Sequence, residues 1–469
     1  MSRELFESVS AYMRSHSDYI TSTLSRLVKI PSVRSAPAPG APYGRKCAEA
    51  LEETRKIYEE NGFATEIHQG SGYLLARSGG RGKQIGIFAH ADVVPVYDDW
   101  MLAEPFSAAI RDGFMISRGA LDDKSGIVCS LLAAMAIRDL GIPFSSGLLM
   151  VTENNEESGM GGIKRFVREQ PMPSASIIAD AGYPVFRGEK SFIRFWAVGR
   201  GKFETVTELV GGKDAFNIIA GSAHATFESE IFPHGGAPSD PDLTLSSDHK
   251  TLSATGISKH AALPEGSKNA IITLTDALLH CDDLPENDRK LFSDIRAILG
   301  SFGEGLGVEG NDPRFGRTTA ATGMLKLIDG RPAVSYDMRF GTMFDSADLI
   351  AKIKERLDSL GFDMEIVEDD KGFFIGDDNE YLKALLEAYS ECTGAVDPKP
   401  NVNSGATHAR LLKNAFGVAA ADWHTRPFTL PAGHGDCHQP DECVWLEGVG
   451  RAAAILAYML VRLDRKISG

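Results

Sequence analysis

The sequence is poor in the features that would tie a protein to nucleic acid, to a membrane or to an oxidising compartment. Cysteine is scarce, with six among 469 residues (Cys47, Cys129, Cys281, Cys392, Cys437 and Cys443) and no Cys-x-x-Cys spacing. That excludes a disulfide framework and a cysteine-rich zinc site. Positive charge is in deficit: 49 Lys and Arg face 64 Asp and Glu, a formal net charge of -15, which opposes attraction to phosphate backbones or anionic lipid. The longest apolar stretch, Gly126 to Ile137, falls short of the about 20 residues needed to span a bilayer. The N-terminal MSRELFESVSAYMRSHSDYI carries early acids and lacks the apolar core and cleavage site of a signal peptide. The expectation is a cytoplasmic protein with neither a nucleic-acid nor a membrane partner. Also missing are a phosphate-binding G-x-x-x-x-G-K-[ST], a G-x-G-x-x-G, a G-x-S-x-G elbow, an H-E-x-x-H, internal repeats and low-complexity tracts.

What is present can build sizeable cores. The chain is 43% hydrophobic, 24% charged and 8% aromatic, and about three typical domain lengths long, so two or more domains are expected. Helical spacing runs from Glu4 to Ile30 and from Arg45 to Asn61. Strand-like runs follow at Ala64 to His68, Tyr73 to Arg77 and Gln84 to His90. Asp123 to Leu140 reads as a buried helix, Gly147 to Thr152 as a strand, Gly162 to Glu169 as a helix and Ala175 to Asp180 as a strand. This alternation predicts an α/β fold with a mainly parallel sheet. After Lys190 the texture changes. Strand-like segments (Glu204 to Val210, Met324 to Asp329, Ala333 to Phe340) and helix-like ones (Ala270 to His280, Glu286 to Leu299, Ser346 to Leu360) are joined by long polar connections, and Asp329-Gly330 is a hairpin signal. The reading is an α/β domain in two parts, residues 1–190 and 378–469, split by an inserted α+β domain at 191–377. The last part holds a helix from Tyr381 to Thr393, irregular chain to His438, and a helix from Val444 to Leu463.

Acids and histidines fall at the ends of these predicted strands: His90 and Asp92, then Asp122-Asp123, Glu156-Glu157, Asp180, and His438 just before the last helix. In open α/β sheets ligands bind outside the carboxyl ends of the strands. Singly each residue has an ordinary explanation, such as Asp as a helix N-cap. Together, two imidazoles and three carboxylates suit a pair of borderline divalent ions such as zinc, with one carboxylate bridging. With a bridging hydroxide the site is neutral overall.

The ordered runs HADVVPVYDDW, SRGALDDKSG, TENNEESGMGG, DAGYPVFRGEK, ATGISKHAALPEGSKNA, YDMRF and HQPDE carry a resemblance over nearly the whole chain. It is similar to the PepV-type dipeptidases of the aminoacylase/carnosinase/carboxypeptidase G di-zinc metallohydrolase superfamily. The resemblance implies a catalytic domain of di-zinc exopeptidase type with the inserted domain as a lid. It implies His90 and Asp180 on one zinc (or Mn2+ or Co2+), Glu157 and His438 on the other, and Asp122 bridging. It further implies Asp92 orienting His90, Glu156 as general base, His260 stabilising the oxyanion, Arg339 gripping the substrate's free carboxylate and Asn217 contacting substrate. The implied activity is hydrolysis of dipeptides or short peptides with a free carboxylate, by a monomer with a long lid. The alternatives are an N-acyl-amino-acid deacylase of the same superfamily, which uses the same metal chemistry, and a non-catalytic peptide- or metal-binding relative that keeps the fold. The chain departs from the relatives at Tyr97, Asp99 and Ser125, which replace glycines, at Asp337, which replaces an Asn, and at Asn403 to His408, which replace a Gly-rich stretch followed by Thr-Tyr.

Overall fold

The structure is a computed structural model that describes residues 3–79, 82–96, 99–212, 215–233, 240–431 and 433–468, so Tyr97 lies outside the described residues. The chain forms two compact units. The first comprises Met1–Gly188, Ile375–Asn401 and Thr407–Gly469; the second comprises Glu189–Phe374 and Val402–Ala406. The five residues from Val402 to Ala406 thus group with the second unit and not with the terminal segment in which the sequence pattern placed them.

The first unit is α/β. Strands Gly147–Glu153 and Ala175–Ile178 flank Gln84–His90, both parallel to it, and Ala415–Gly417 continues the parallel set beside Ala175–Ile178. Tyr73–Ser78 and Ala64–His68 add antiparallel strands at one side. Alternation along Gln84–His90 shows why this run is apolar almost throughout. Ile85, Ile87 and Ala89 share a core with helices Lys124–Asp139 and Leu446–Ser468, while Phe88 meets Phe166 of helix Gly161–Glu169 edge-on at 5.5 Å. A strand covered on both faces needs apolar side chains on both. Helix Lys124–Asp139 is buried from Lys124 to Ile137, as an all-round apolar helix must be.

Three local details differ from the sequence pattern. The first helical stretch is two helices, Arg3–Ser15 and Ser17–Val28. The break falls where Ser15 Oγ (2.7 Å) and His16 Nδ1 (2.8 Å) both reach back to the Tyr12 carbonyl and compete with the helical hydrogen bond. Ala415–Gly417 is a buried strand inside the segment read as irregular. Val444 lies in strand Cys443–Trp445, paired with Phe114–Ile116, and the final helix runs from Leu446 to Ser468.

The second unit is a sheet whose pairings are antiparallel, centred on Ser191–Gly199 and Arg331–Phe340. Helices Ala270–Leu279, Glu286–Ile298 and Ser346–Ser359 share its separate core. Asn269 and Asp345 cap the first and third of these by accepting main-chain N–H groups. The Asp329-Gly330 turn has φ of 51° and 76° and joins Leu325–Ile328 to Arg331–Phe340 with Ile328 opposite Arg331, as a two-residue hairpin requires. Among the described residues no helix is long and apolar enough to cross a membrane.

Candidate metal centre

The parallel strands of the first unit bring their carboxyl ends together, and the candidate ligands sit there. His90 ends its strand, Asp180 follows Ala175–Ile178 by two residues, and Glu156 and Glu157 open a single 3-10 turn after Gly147–Glu153. Asp122 precedes the buried helix. His438 arrives from the loop before Cys443–Trp445 in the left-handed region, φ 62°, a conformation a non-glycine residue holds only when its surroundings fix it.

The geometry centres on Asp122. Its Oδ1 lies 2.9 Å from His90 Nε2 and its Oδ2 3.1 Å from His438 Nε2. Asp180 Oδ2 lies 3.6 Å from His90 Nε2, and Glu157 Oε1 3.1 Å from His438 Nε2. Donor atoms of His90, Asp122 and Asp180 fall within 4.8 Å of one another, as do those of Asp122, Glu157 and His438. Two sets of three candidate ligands therefore share one carboxylate, each of whose oxygens faces a different set.

Electrostatics show what this arrangement needs. Burial would raise the Asp122 carboxyl, but hydrogen bonds from His438 and His90 outweigh it and hold it well below the usual range. Burial and repulsion by Asp122 push Asp180 up. Burial opposes charge on His90, yet Asp122 and Asp180 overcome it and raise its pKa. For His438 the Glu157 charge leads the same upward shift. Glu156 is raised well above a normal glutamate, first by burial and then by Glu157, Asp180 and Asp122, against the pull of His90. Carboxylates crowded this closely repel unless cations neutralise them. Two imidazole nitrogens and three carboxylates in two sets suit borderline divalent ions of the zinc type, so the residues fit the metal pair.

The surrounding groups hold the candidate ligands in place. His90 Nδ1 lies 3.0 Å from the main-chain carbonyl of Asp92 and 3.6 Å from its carboxylate. Asp92 thus fixes the imidazole mainly through its backbone, leaving Nε2 for a metal. Its carboxylate accepts instead from the amides of Glu156 (3.0 Å) and Glu157 (3.1 Å), and burial pushes its pKa up to about 7. Asp123 is not the helix cap that its position suggests, since its side chain makes no capping bond; its Oδ2 accepts from the His90 amide at 3.2 Å. Gly126 is required by close approach. A side-chain carbon there would lie 2.1 Å from Asp123 Oδ1 and 2.4 Å from the Ala179 carbonyl.

Two buried side-chain pairs were not legible as site residues. Glu442 accepts from Arg118 Nη1 (2.6 Å) and from the amides of Leu121 (2.8 Å) and Asp122 (3.1 Å), while Arg118 Nη2 donates to the His438 carbonyl at 3.3 Å. One carboxylate thereby ties the Asp122 and His438 loops together. The only sequence signal was its place at the end of HQPDE. Glu153 pairs with His408 at 2.8 Å, both 1% exposed, and its other oxygen accepts from the Ile163 amide at 3.1 Å. His408 belongs to the segment that departs from the resembled family, and its ring stands edge-on to His90 at 6.3 Å.

Asn217, His260 and Arg339 belong to the second unit. The first two are brought together: Ile218 bridges to His260, and the Ala261 amide donates to the Asn217 carbonyl at 2.8 Å. His260 Nδ1 accepts from the Ala262 amide at 3.2 Å, which places the proton of the neutral ring on Nε2. Arg339 is 2% exposed and held by Asp337, with Nε–Oδ1 at 2.5 Å and Nη2–Oδ2 at 3.0 Å.

Residues 86–462 match the family model described as peptidase family M20/M25/M40. The chain is 26% identical over 440 residues to the Putative dipeptidase SSP1012 of Staphylococcus saprophyticus, covering 87% of this chain and 92% of that protein. It is 26% identical over 485 residues to the Putative dipeptidase YtjP of Bacillus subtilis, covering 97% and 98%. Human carnosine dipeptidase 1 has the same fold, with a TM-score of 0.61 over 98% of this chain and 99% of that one at 15% identity.

Proposed function

The chain belongs to peptidase family M20/M25/M40 and is a hydrolase, and from that premise we propose that it is a metal-dependent dipeptidase acting on dipeptides or short peptides with a free carboxylate. The observation that carries this reading is Asp122, whose two oxygens face His90 and His438 separately, with Asp180 and Glu157 completing the sets. His90, Asp122 and Asp180 would hold one ion and Asp122, Glu157 and His438 the other, zinc being the best match to these donors. When bound, the ions would supply Lewis acidity to the scissile carbonyl and to the attacking water.

The protein's own groups do the rest. A Glu156 carboxylate oxygen takes the proton of the attacking water and returns it to the leaving amine, the work of a general base and then a general acid. Asp92 sets both His90 and the turn that carries Glu156. In the second unit, acting as a lid, His260 Nε2–H donates to the tetrahedral oxyanion. Arg339 binds the substrate carboxylate through its planar fork, and Asn217 contacts substrate beside His260. We place the protein in the cytoplasm as a monomer that supplies its own His260.

The test is metal analysis of the purified protein followed by a panel of Ala-Ala-type dipeptides and N-acetyl amino acids. Two divalent ions per chain and hydrolysis of the dipeptides are expected. Preference for the N-acetyl compounds would make it a deacylase, and no turnover of any member would make it a binding protein.

A further inference from the structure

The second unit carries a charge lattice on one face of its sheet, of which the proposed activity uses only Arg339. In the cross-strand register Arg339 stands opposite Phe192 and Asp337 opposite Arg194. Both guanidinium groups lie over the Phe192 ring, at 4.7 Å for Arg339 and 4.9 Å for Arg194. Asp337 is 0% exposed and takes hydrogen bonds from both arginines, Arg194 Nε reaching Oδ2 at 2.9 Å. Arg194 also pairs with Glu368 at 2.9 Å. Burial alone would raise the Asp337 carboxyl, but Arg339 and Arg194 hold it below the usual range, so it is ionised.

Donor arithmetic shows what this does to Arg339. A guanidinium has five N–H donors on two usable edges. Asp337 occupies the Nε–Nη2 edge. Among the described residues, the Nη1–Nη2 edge keeps its donors, with only a 3.4 Å contact from Nη1 to the Ser404 carbonyl. The plane is therefore fixed by Asp337 below one edge and by Phe192 against its face, and the other edge can meet a planar carboxylate end-on. A carboxylate arriving there finds an arginine whose charge is already compensated, so the same contact that orients the fork weakens its hold.

We propose that Asp337 is a specificity-determining residue: it aims the Nη1–Nη2 edge of Arg339 at the substrate's terminal carboxylate and lowers the affinity of that contact, so that direction selects the carboxylate more than charge does. This rests on the reading of Arg339 as the carboxylate anchor.

The experiment compares wild type, Asp337→Asn and Arg339→Gln with a dipeptide and the same dipeptide amidated at its C-terminus. In Asp337→Asn the KM for the free dipeptide is expected to fall about tenfold, the size of one charge removed beside a partly screened pair, with KM for the amide unchanged. A second readout covers loss of stability in that variant. The shift of Tm caused by a fixed concentration of the free dipeptide, measured in metal-free protein, should be larger in Asp337→Asn than in wild type, because a tighter-binding ligand stabilises the folded state more. A merely structural role would not enlarge it. If Arg339→Gln raises KM for the free dipeptide alone while Asp337→Asn leaves both KM and the Tm shift unchanged, the role of Asp337 is overturned and the anchor stands. If Arg339→Gln affects the free and amidated peptides equally, the anchor itself is wrong and the inference falls with it.

Discussion

Replacing Glu442 by Gln should damage the proposed metal centre although Glu442 is not among its proposed ligands. Its carboxylate is 0% exposed and Arg118 3% exposed, and its two oxygens serve three donors at 2.6, 2.8 and 3.1 Å. A glutamine keeps one acceptor oxygen. Its NH2 must then face either the Leu121 and Asp122 amides or the Arg118 guanidinium, and neither can accept. An unsatisfied buried donor costs about 1–3 kcal/mol, and leaving a buried charge without its partner about 3–5 kcal/mol. These overlap, so the expected loss is about 3–5 kcal/mol for metal-free protein in urea unfolding. Because the pair also fixes the Asp122 amide and the His438 carbonyl, zinc affinity should fall about 10- to 100-fold in competition with a chromophoric chelator. A double Glu442→Met, Arg118→Met variant removes both charges and should regain most of the stability without regaining the affinity. If Glu442→Gln loses under about 1 kcal/mol and binds zinc like wild type, the carboxylate does not tie the two ligand loops.

Other outcomes are as specific. Glu156→Gln should keep both metals by elemental analysis yet lose about 10²- to 10⁴-fold in kcat; near-normal turnover would refute the base assignment. His260→Ala should lower kcat about 10²- to 10³-fold with metal content unchanged, and an effect on KM alone would remove it from oxyanion stabilisation. Chelation should abolish activity and lower Tm, the stability lost being about 2.7 kcal/mol for each site at which zinc stood at 100 times its Kd; an unchanged Tm would argue against a bound metal pair. The Asp337 pKa is lower folded than unfolded. Its contribution is therefore present above the unfolded value of about 3.9 and lost as pH falls through the folded one. Asp337→Asn should flatten the acid limb of stability against pH, and an identical limb in both proteins would contradict the buried pairing.

Much of the fold was readable because burial leaves a periodic mark. The apolar run of Gln84–His90 announced a strand covered on both faces, and Lys124 to Ile137 a helix buried all round. Asp329-Gly330 announced a hairpin because only residues tolerant of positive φ close that turn. Three-residue strands left no such mark. Ala415–Gly417 is too short for a period to show, and Cys443–Trp445 runs straight into the helix that follows. The ligand-type residues stood out as acids and imidazoles at strand ends. The groups that steady them did not, because Glu442 is 324 residues from Arg118 and His408 is 255 from Glu153. A carboxylate in a loop looks the same in a sequence whether it meets water or a buried guanidinium.

By itself, then, the sequence determined which side chains could serve as ligands, the α/β and α+β textures on either side of Lys190, and the acidic balance of the chain. Those properties are local or additive, and composition and period report them. Only the tertiary structure decided that Asp122 shares its two oxygens between His90 and His438, that Asp92 spends its carboxylate on the amides of the Glu156 turn, and that Asp337 claims one edge of Arg339. Each of these is a choice between partners distant in the chain, and it is settled by ångström-scale distances that no spacing along the sequence encodes.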